Sequence, residues 1–194
     1  MTMLGSTSIE KRFIRWSKAD FDAYLTAAAI GVLAGLAVSY IRPPLHLPGH
    51  KVLLWMIPAL GCRLGTRARA GASTSVLATI FATLLLGGRL GGGFLMMPLV
   101  ALAGITLDIA AGMVERRRSP WSLPLLALAG ATGNLLCFMK RLCDPMPGFF
   151  SSGNMRDLLW AAASHIFFGL LAGVIGGLCG WGLLTYRRRR EISD

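Results

Sequence analysis

Charge in this sequence is confined to a few short clusters, and between them run long stretches with hardly a charged side chain. No other feature restricts the fold as much. A helix that crosses a bilayer needs about 20 predominantly apolar residues, and these stretches are of that order. Hydrophobic residues make up 54% of the 194-residue chain and charged residues 15%, against roughly a quarter charged in soluble domains. Lipid is therefore the expected solvent, and the length allows one domain.

The apolar runs predict an all-α polytopic membrane bundle of about six transmembrane helices, at residues 21–41, 52–62, 71–86, 93–114, 121–139 and 158–186. The first stops at Pro43-Pro44, the second carries Pro58 and borrows length from His50 and Lys51, and the third ends in the turn Gly87-Gly88-Arg89. The sixth is long enough to tilt. A basic segment (1–19) precedes the membrane domain (20–186) and a basic tail (187–194) follows it. The first run exceeds a secretory h-region and leads into Arg-Pro-Pro instead of a small-residue cleavage site, so it reads as a retained helix.

The positive-inside rule then sets orientation. With the N-terminus inside, the inner face receives Lys11, Arg12, Arg15, Lys18, Arg63, Arg67, Arg69, Arg116, Arg117, Arg118 and Arg187 through Arg190, which is 14 of the 20 Lys and Arg. Arg42, Lys51, Arg89, Lys140, Arg141 and Arg156 fall outside. Six helices with both termini cytoplasmic, in a prokaryotic inner membrane, satisfy this split. The net charge of +11 follows from the same rule, and no nucleic-acid partner is expected, because the basic residues lie in short groups between apolar runs and not along a soluble face.

In lipid, helices associate by close backbone approach, and small residues four apart mark the contacts. Ala27, Gly31, Gly35 and Ser39 form one such stripe, Gly104 and Gly112 a second with Asp108 midway, and Ala161, Gly169, Gly173 and Gly177 a third with His165 in its gap. Each stripe either packs the bundle or faces another subunit.

Catalytic signatures are missing. Gly87-Gly88-Arg89-Leu90-Gly91-Gly92-Gly93 lacks the lysine and hydroxyl of a phosphate loop, and neither His-Glu-x-x-His nor Gly-x-Ser-x-Gly occurs. Cys62, Cys137, Cys143 and Cys179 lack metal-ligand spacing; a Cys137–Cys143 disulfide on the outer side is one option, small apolar filler the other. The expectation is no resident metal, no cofactor and no catalytic residue. What remains is a polar and aromatic set that topology places in the outer half: His46, His50, Trp55, Met96, Asn134, Trp160 and His165. Asn134 and His165, costly in hydrocarbon without partners, are either an interhelical hydrogen bond or part of an outward-open pocket for a small ring-containing solute, with Trp55 or Trp160 stacking on the ring and His46 in a covering loop. Asp108, the one acid deep in a helix, is a possible intramembrane charge site; its depth favours pairing with Arg63 or Arg67.

Six helices, a Gly/Ala-striped first helix and no ATPase motif together resemble a substrate-binding S component of energy-coupling-factor (ECF) transporters, over residues 20–186. The stretch from Arg69-Ala70-Gly71-Ala72 through Leu86-Gly87-Gly88-Arg89-Leu90-Gly91-Gly92, with Ala103-Gly104-Ile105-Thr106-Leu107-Asp108, is similar to members handling thiamine-related pyrimidines, although those tend to show Pro-Gly at Ala70-Gly71 and Glu at Asp108. The resemblance implies a vitamin or precursor captured near the outer face, a transmembrane coupling subunit and two cytoplasmic ATPases as partners, and docking through Ala27 and Gly31, extended by Gly35. Metal-transporting members begin Met-His where this sequence reads Met1-Thr2-Met3, so a metal is not expected. Two other classes stay open: a small membrane enzyme using His165 with Ser164 or Asp108, and a ligand-free scaffold whose stripes serve assembly.

Overall fold

The computed structural model describes residues 17–41, 47–66, 68–87, 96–117, 121–143 and 155–193, and the regular structure there is helical throughout. Six helices follow in order: α1 (Lys18–Tyr40), α2 (Val52–Thr66), α3 (Gly71–Leu85), α4 (Met96–Arg117), α5 (Ser122–Cys143) and α6 (Met155–Ser193). The start of α1 is set by a capping box: the Ser17 hydroxyl accepts from the Asp20 N–H at 3.1 Å, and the Ser17 N–H donates to the Asp20 carboxylate at 3.2 Å. The helices run alternately up and down. The ends of α2 and α4 meet the starts of α1 and α3, since Arg63 reaches Glu115 at 2.7 Å and the Ala70 N–H reaches the Tyr24 hydroxyl at 3.4 Å. The C-terminal part of α6 arrives at this same end, with Leu183 against Gly65. At the other end Gly49, before α2, sits on Asn134 of α5 and His165 of α6.

Sequence neighbours are not always spatial neighbours. Helix α1 packs chiefly on α3, α2 on α6, α5 on both α4 and α6. Helix α2 touches α1, α3, α4 and α6, and nine of its 15 residues are buried. It is the central strut, and Met56, Ala59 and Leu60 on it are fully enclosed.

Four helices are long and apolar enough to cross a membrane: α1, α4, α5 and α6. Helices α2 and α3, at 15 residues each, rise only about 22 Å at 1.5 Å per residue, short of the roughly 30 Å hydrocarbon core. The expected six spans are thus six helices of which four have the length. For α2 the reason is physical: wrapped by four neighbours, it meets protein and not hydrocarbon, so its ends need not reach the interface. The outward faces are apolar, with Leu33, Phe81, Leu85, Leu128, Leu159 and Phe167 all exposed, which is compatible with a bundle surrounded by lipid.

The small-residue stripes are consumed inside the bundle. A Cβ on Gly31 would lie 2.0 Å from the Ser75 carbonyl oxygen, and one on Gly35 would lie 2.9 Å from that of Thr79. The Thr79 hydroxyl donates to the Gly31 carbonyl at 2.9 Å, and Ala27 is fully buried. This corrects the docking expectation for Ala27, Gly31 and Gly35: the stripe faces α3, not a partner subunit. Gly130 of α5 likewise meets Gly169 and Gly173 of α6 backbone to backbone, a Cβ on Gly130 lying 2.2 Å from the Gly169 oxygen. Cys137 is a free, buried thiol. It shares the continuous helix α5 with Cys143, and six residues of helix separate their Cα atoms by about 9 Å, beyond disulfide range.

Candidate functional site

The two ends of the bundle are built differently. At the end where α2 and α4 finish, Arg63 is 2% exposed and forms a forked pair with Glu115, at 2.7 and 3.1 Å. Its Nε lies 3.3 Å from the Asp108 carboxylate, close enough for charge attraction but without hydrogen-bond alignment. Asp108 meanwhile accepts from the Ala72 N–H at 2.9 Å, the Ser73 N–H at 2.8 Å and the Ser73 hydroxyl at 2.5 Å. These are first-turn donors of α3, so a carboxylate from α4 caps a helix whose own Ala70 cannot. Of the two pairings the sequence suggests for Asp108, the structure contains Arg63; Arg67 lies outside the described residues. The cluster ties α2, α3 and α4 together.

The opposite end holds a cavity of about 240 Å³. It is lined from α1 (Val38), the turn before α2 (residues 47–51), α2 itself (Val52, Trp55), α4 (Met96, Val100), α5 (Asn134, Cys137) and α6 (His165). The turn acts as a strap. Its Gly49 has φ +81°, a left-handed conformation natural to glycine, and a Cβ there would press on the His165 ring at 3.0 Å and the Asn134 amide at 3.1 Å. The strap is fastened by side chains of two helices. The Ser164 hydroxyl donates to the Pro48 carbonyl at 2.6 Å, and the Asn134 amide donates to the Gly49 carbonyl at 3.5 Å. The same amide donates to the His165 carbonyl at 2.7 Å, joining α5 to α6.

Both histidines are oriented by backbone carbonyls. His165 Nδ1 meets the Ala161 oxygen at 2.8 Å, and His50 Nδ1 meets the Leu47 oxygen. A carbonyl only accepts, so in each ring Nδ1 carries the proton. Phe138 packs beside the His165 ring at 5.2 Å between centroids, and Phe168 stands edge-on to His50 at 6.4 Å. Trp55, 4% exposed, supplies the largest apolar wall.

Five of the residues singled out from sequence therefore line one cavity: His50, Trp55, Met96, Asn134 and His165. His46 lies outside the described residues. Trp160 is a correction: it is 61% exposed and does not line the cavity. Its place on the outward face of α6, on the cavity side of the bundle, suits an interfacial anchor, as the exposed Trp121 and Tyr186 do at the other end. Sequence reasoning missed Gly49, Lys51 and Ser164 as parts of the site. The Pro48-Gly49 pair ahead of an apolar helix was a readable turn signal; nothing local announces that Ser164 reaches Pro48. The Ser164 hydroxyl donates to that carbonyl and not to the adjacent His165 ring. Among the described residues no three His, Cys, Asp or Glu side chains gather as a metal site.

In comparison with known proteins, no family model matches the chain, and no curated protein or solved structure matches it significantly.

Proposed function

We propose that this chain is a membrane-embedded solute receptor, holding a small ring-containing molecule in the strap-covered cavity for delivery by energised partners. The observation that carries the reading is the cavity itself: five helices converge to enclose a space walled by Trp55, Met96 and Val100 and edged by His50, Asn134 and His165. An apolar lining with a few convergent polar groups is the usual form of a small-molecule site. The other end is tied together by Arg63, Asp108 and Glu115. Basic residues concentrate at that tied end, so the positive-inside rule turns the cavity outward and leaves both termini in the cytoplasm. No nucleotide-binding motif is present in the sequence, so the energy for release would come from other chains. The resemblance to ECF S components names them: a coupling transmembrane subunit and two ATPases, importing a vitamin or precursor.

The test is purification of the tagged chain from host membranes under mild detergent. The reading expects a coupling protein and an ATPase pair to accompany it, and expects host cells lacking the chain to lose uptake of one solute. Normal uptake of every vitamin tested, with no ATPase associated, would refute it.

A further inference from the structure

The chemistry of the cavity lining narrows the solute further, on the premise that the cavity is a solute site. Asn134, 2% exposed, spends both amide hydrogens on the carbonyls of His165 and Gly49. Those two acceptors fix which way the amide points, and its Oδ1 receives no hydrogen bond from any described residue. That oxygen keeps some accessible surface, so it is an acceptor open to a ligand. His50 is in the same position: Nδ1–H is committed to the Leu47 carbonyl, so the neutral ring offers the lone pair of Nε2. The lining thus presents acceptors. Among the described residues it also presents one full charge, that of Lys51, and no carboxylate. The buried carboxylate of Asp108 is at the far end of the bundle, bound to Arg63 and the start of α3.

We propose that the cavity takes an uncharged heteroaromatic ring that presents an N–H edge to Asn134 Oδ1 and His50 Nε2, and that it rejects cations. The ring lies against the apolar wall formed by Trp55 and Met96, and its N–H groups satisfy acceptors the fold leaves open. A fixed positive charge would meet Lys51 with no carboxylate among the described lining residues to offset it, in surroundings where charge interactions are weakly screened.

Three probes of one shape test this on the purified full chain in detergent micelles at mildly alkaline pH: benzimidazole, which has one N–H; 1-methylbenzimidazole, which has none; and 1,3-dimethylbenzimidazolium, a fixed cation. Binding is read by saturation-transfer NMR and equilibrium dialysis. The expected order is benzimidazole tightest, the 1-methyl compound about tenfold weaker, as loss of one bond to a buried acceptor implies, and the cation weaker again by a similar factor. The double variant Asn134→Ala/His50→Phe, which removes both acceptors, narrows the first gap to under about threefold, and Lys51→Glu narrows the second. Met96→Trp, which fills the cavity, abolishes all three. Equal binding of benzimidazole and its 1-methyl derivative, or tighter binding of the cation, overturns the proposed chemistry; if Met96→Trp still blocks that binding, the cavity remains a solute site. Binding untouched by Met96→Trp, or no binding of any probe, overturns the cavity reading and this inference together. Should Met96→Trp fail to fold, Val100→Phe fills the space from the next turn of α4.

Discussion

Replacing Asp108 by leucine tests the tied end of the bundle, and the contacts set the size of the effect. The carboxylate caps α3 through Ala72 and Ser73 and neutralises Arg63, which is 2% exposed. Losing a cap costs about 1–2 kcal/mol. Arg63 keeps its forked pair with Glu115, so losing the second of its two counter-ions adds about 1–2 kcal/mol, for an expected total of about 2–4 kcal/mol. Arg63→Met is milder, about 2–3 kcal/mol, because Asp108 keeps three donors from α3. Glu115, whose side chain is 36% exposed, contributes no more than about 1 kcal/mol when changed to Gln. The double variant Arg63→Met/Asp108→Leu removes both charges, so its loss falls short of the summed single losses by about 1–3 kcal/mol. Reversible SDS titration in mixed micelles, followed by circular dichroism, measures each step. Strictly additive losses, or a cost below about 1 kcal/mol for Asp108→Leu, would refute the account of a carboxylate serving as both cap and counter-ion.

Gly130→Leu prevents α5 and α6 from touching, since even a Cβ lies 2.2 Å from the Gly169 oxygen; folded yield should collapse, whereas Gly182→Ala, with nothing within 4 Å, should leave it unchanged. Gly49→Ala forces a left-handed alanine, costing about 1 kcal/mol, and pushes on His165 and Asn134; hydrogen exchange of the Val52, Leu53 and Leu54 amides should quicken while the remaining helices stay protected. Trp160→Ala should leave ligand binding unaltered, because the side chain faces outward; a tenfold loss would restore Trp160 to the site.

The helices were legible because charge is so cleanly segregated that apolar runs and helices coincide to within a few residues, with α6 running on through the arginines to Ser193. Length was less legible. Nothing in residues 52–62 says that α2 is enclosed by four neighbours, and only that enclosure explains a short helix with Pro58 inside it. Spacing marked the first stripe as an interface and left open whether the bundle or another subunit lies on it; in the fold α3 packs there, which spacing alone does not say. Depth alone left Asp108 two possible partners, Arg63 and Arg67, and the contact with Arg63 is visible only in the fold. The cavity set emerged because Asn134 and His165 are polar residues in apolar runs, each needing a partner, and His50 stands at the start of the helix beside them. Trp160 carried a contrary signal: five residues before His165, it stands about 140° around α6 from that ring at 100° per residue.

Native mass spectrometry of the freshly purified chain addresses the central claim most directly. Wild-type protein released from its micelle should carry one small molecule per chain, and the Asn134→Ala/His165→Ala variant, folded by circular dichroism, should have lost it. An identical bound mass on both proteins, or none on the wild type after supply with host extract, would contradict a solute site beneath the Gly49 strap.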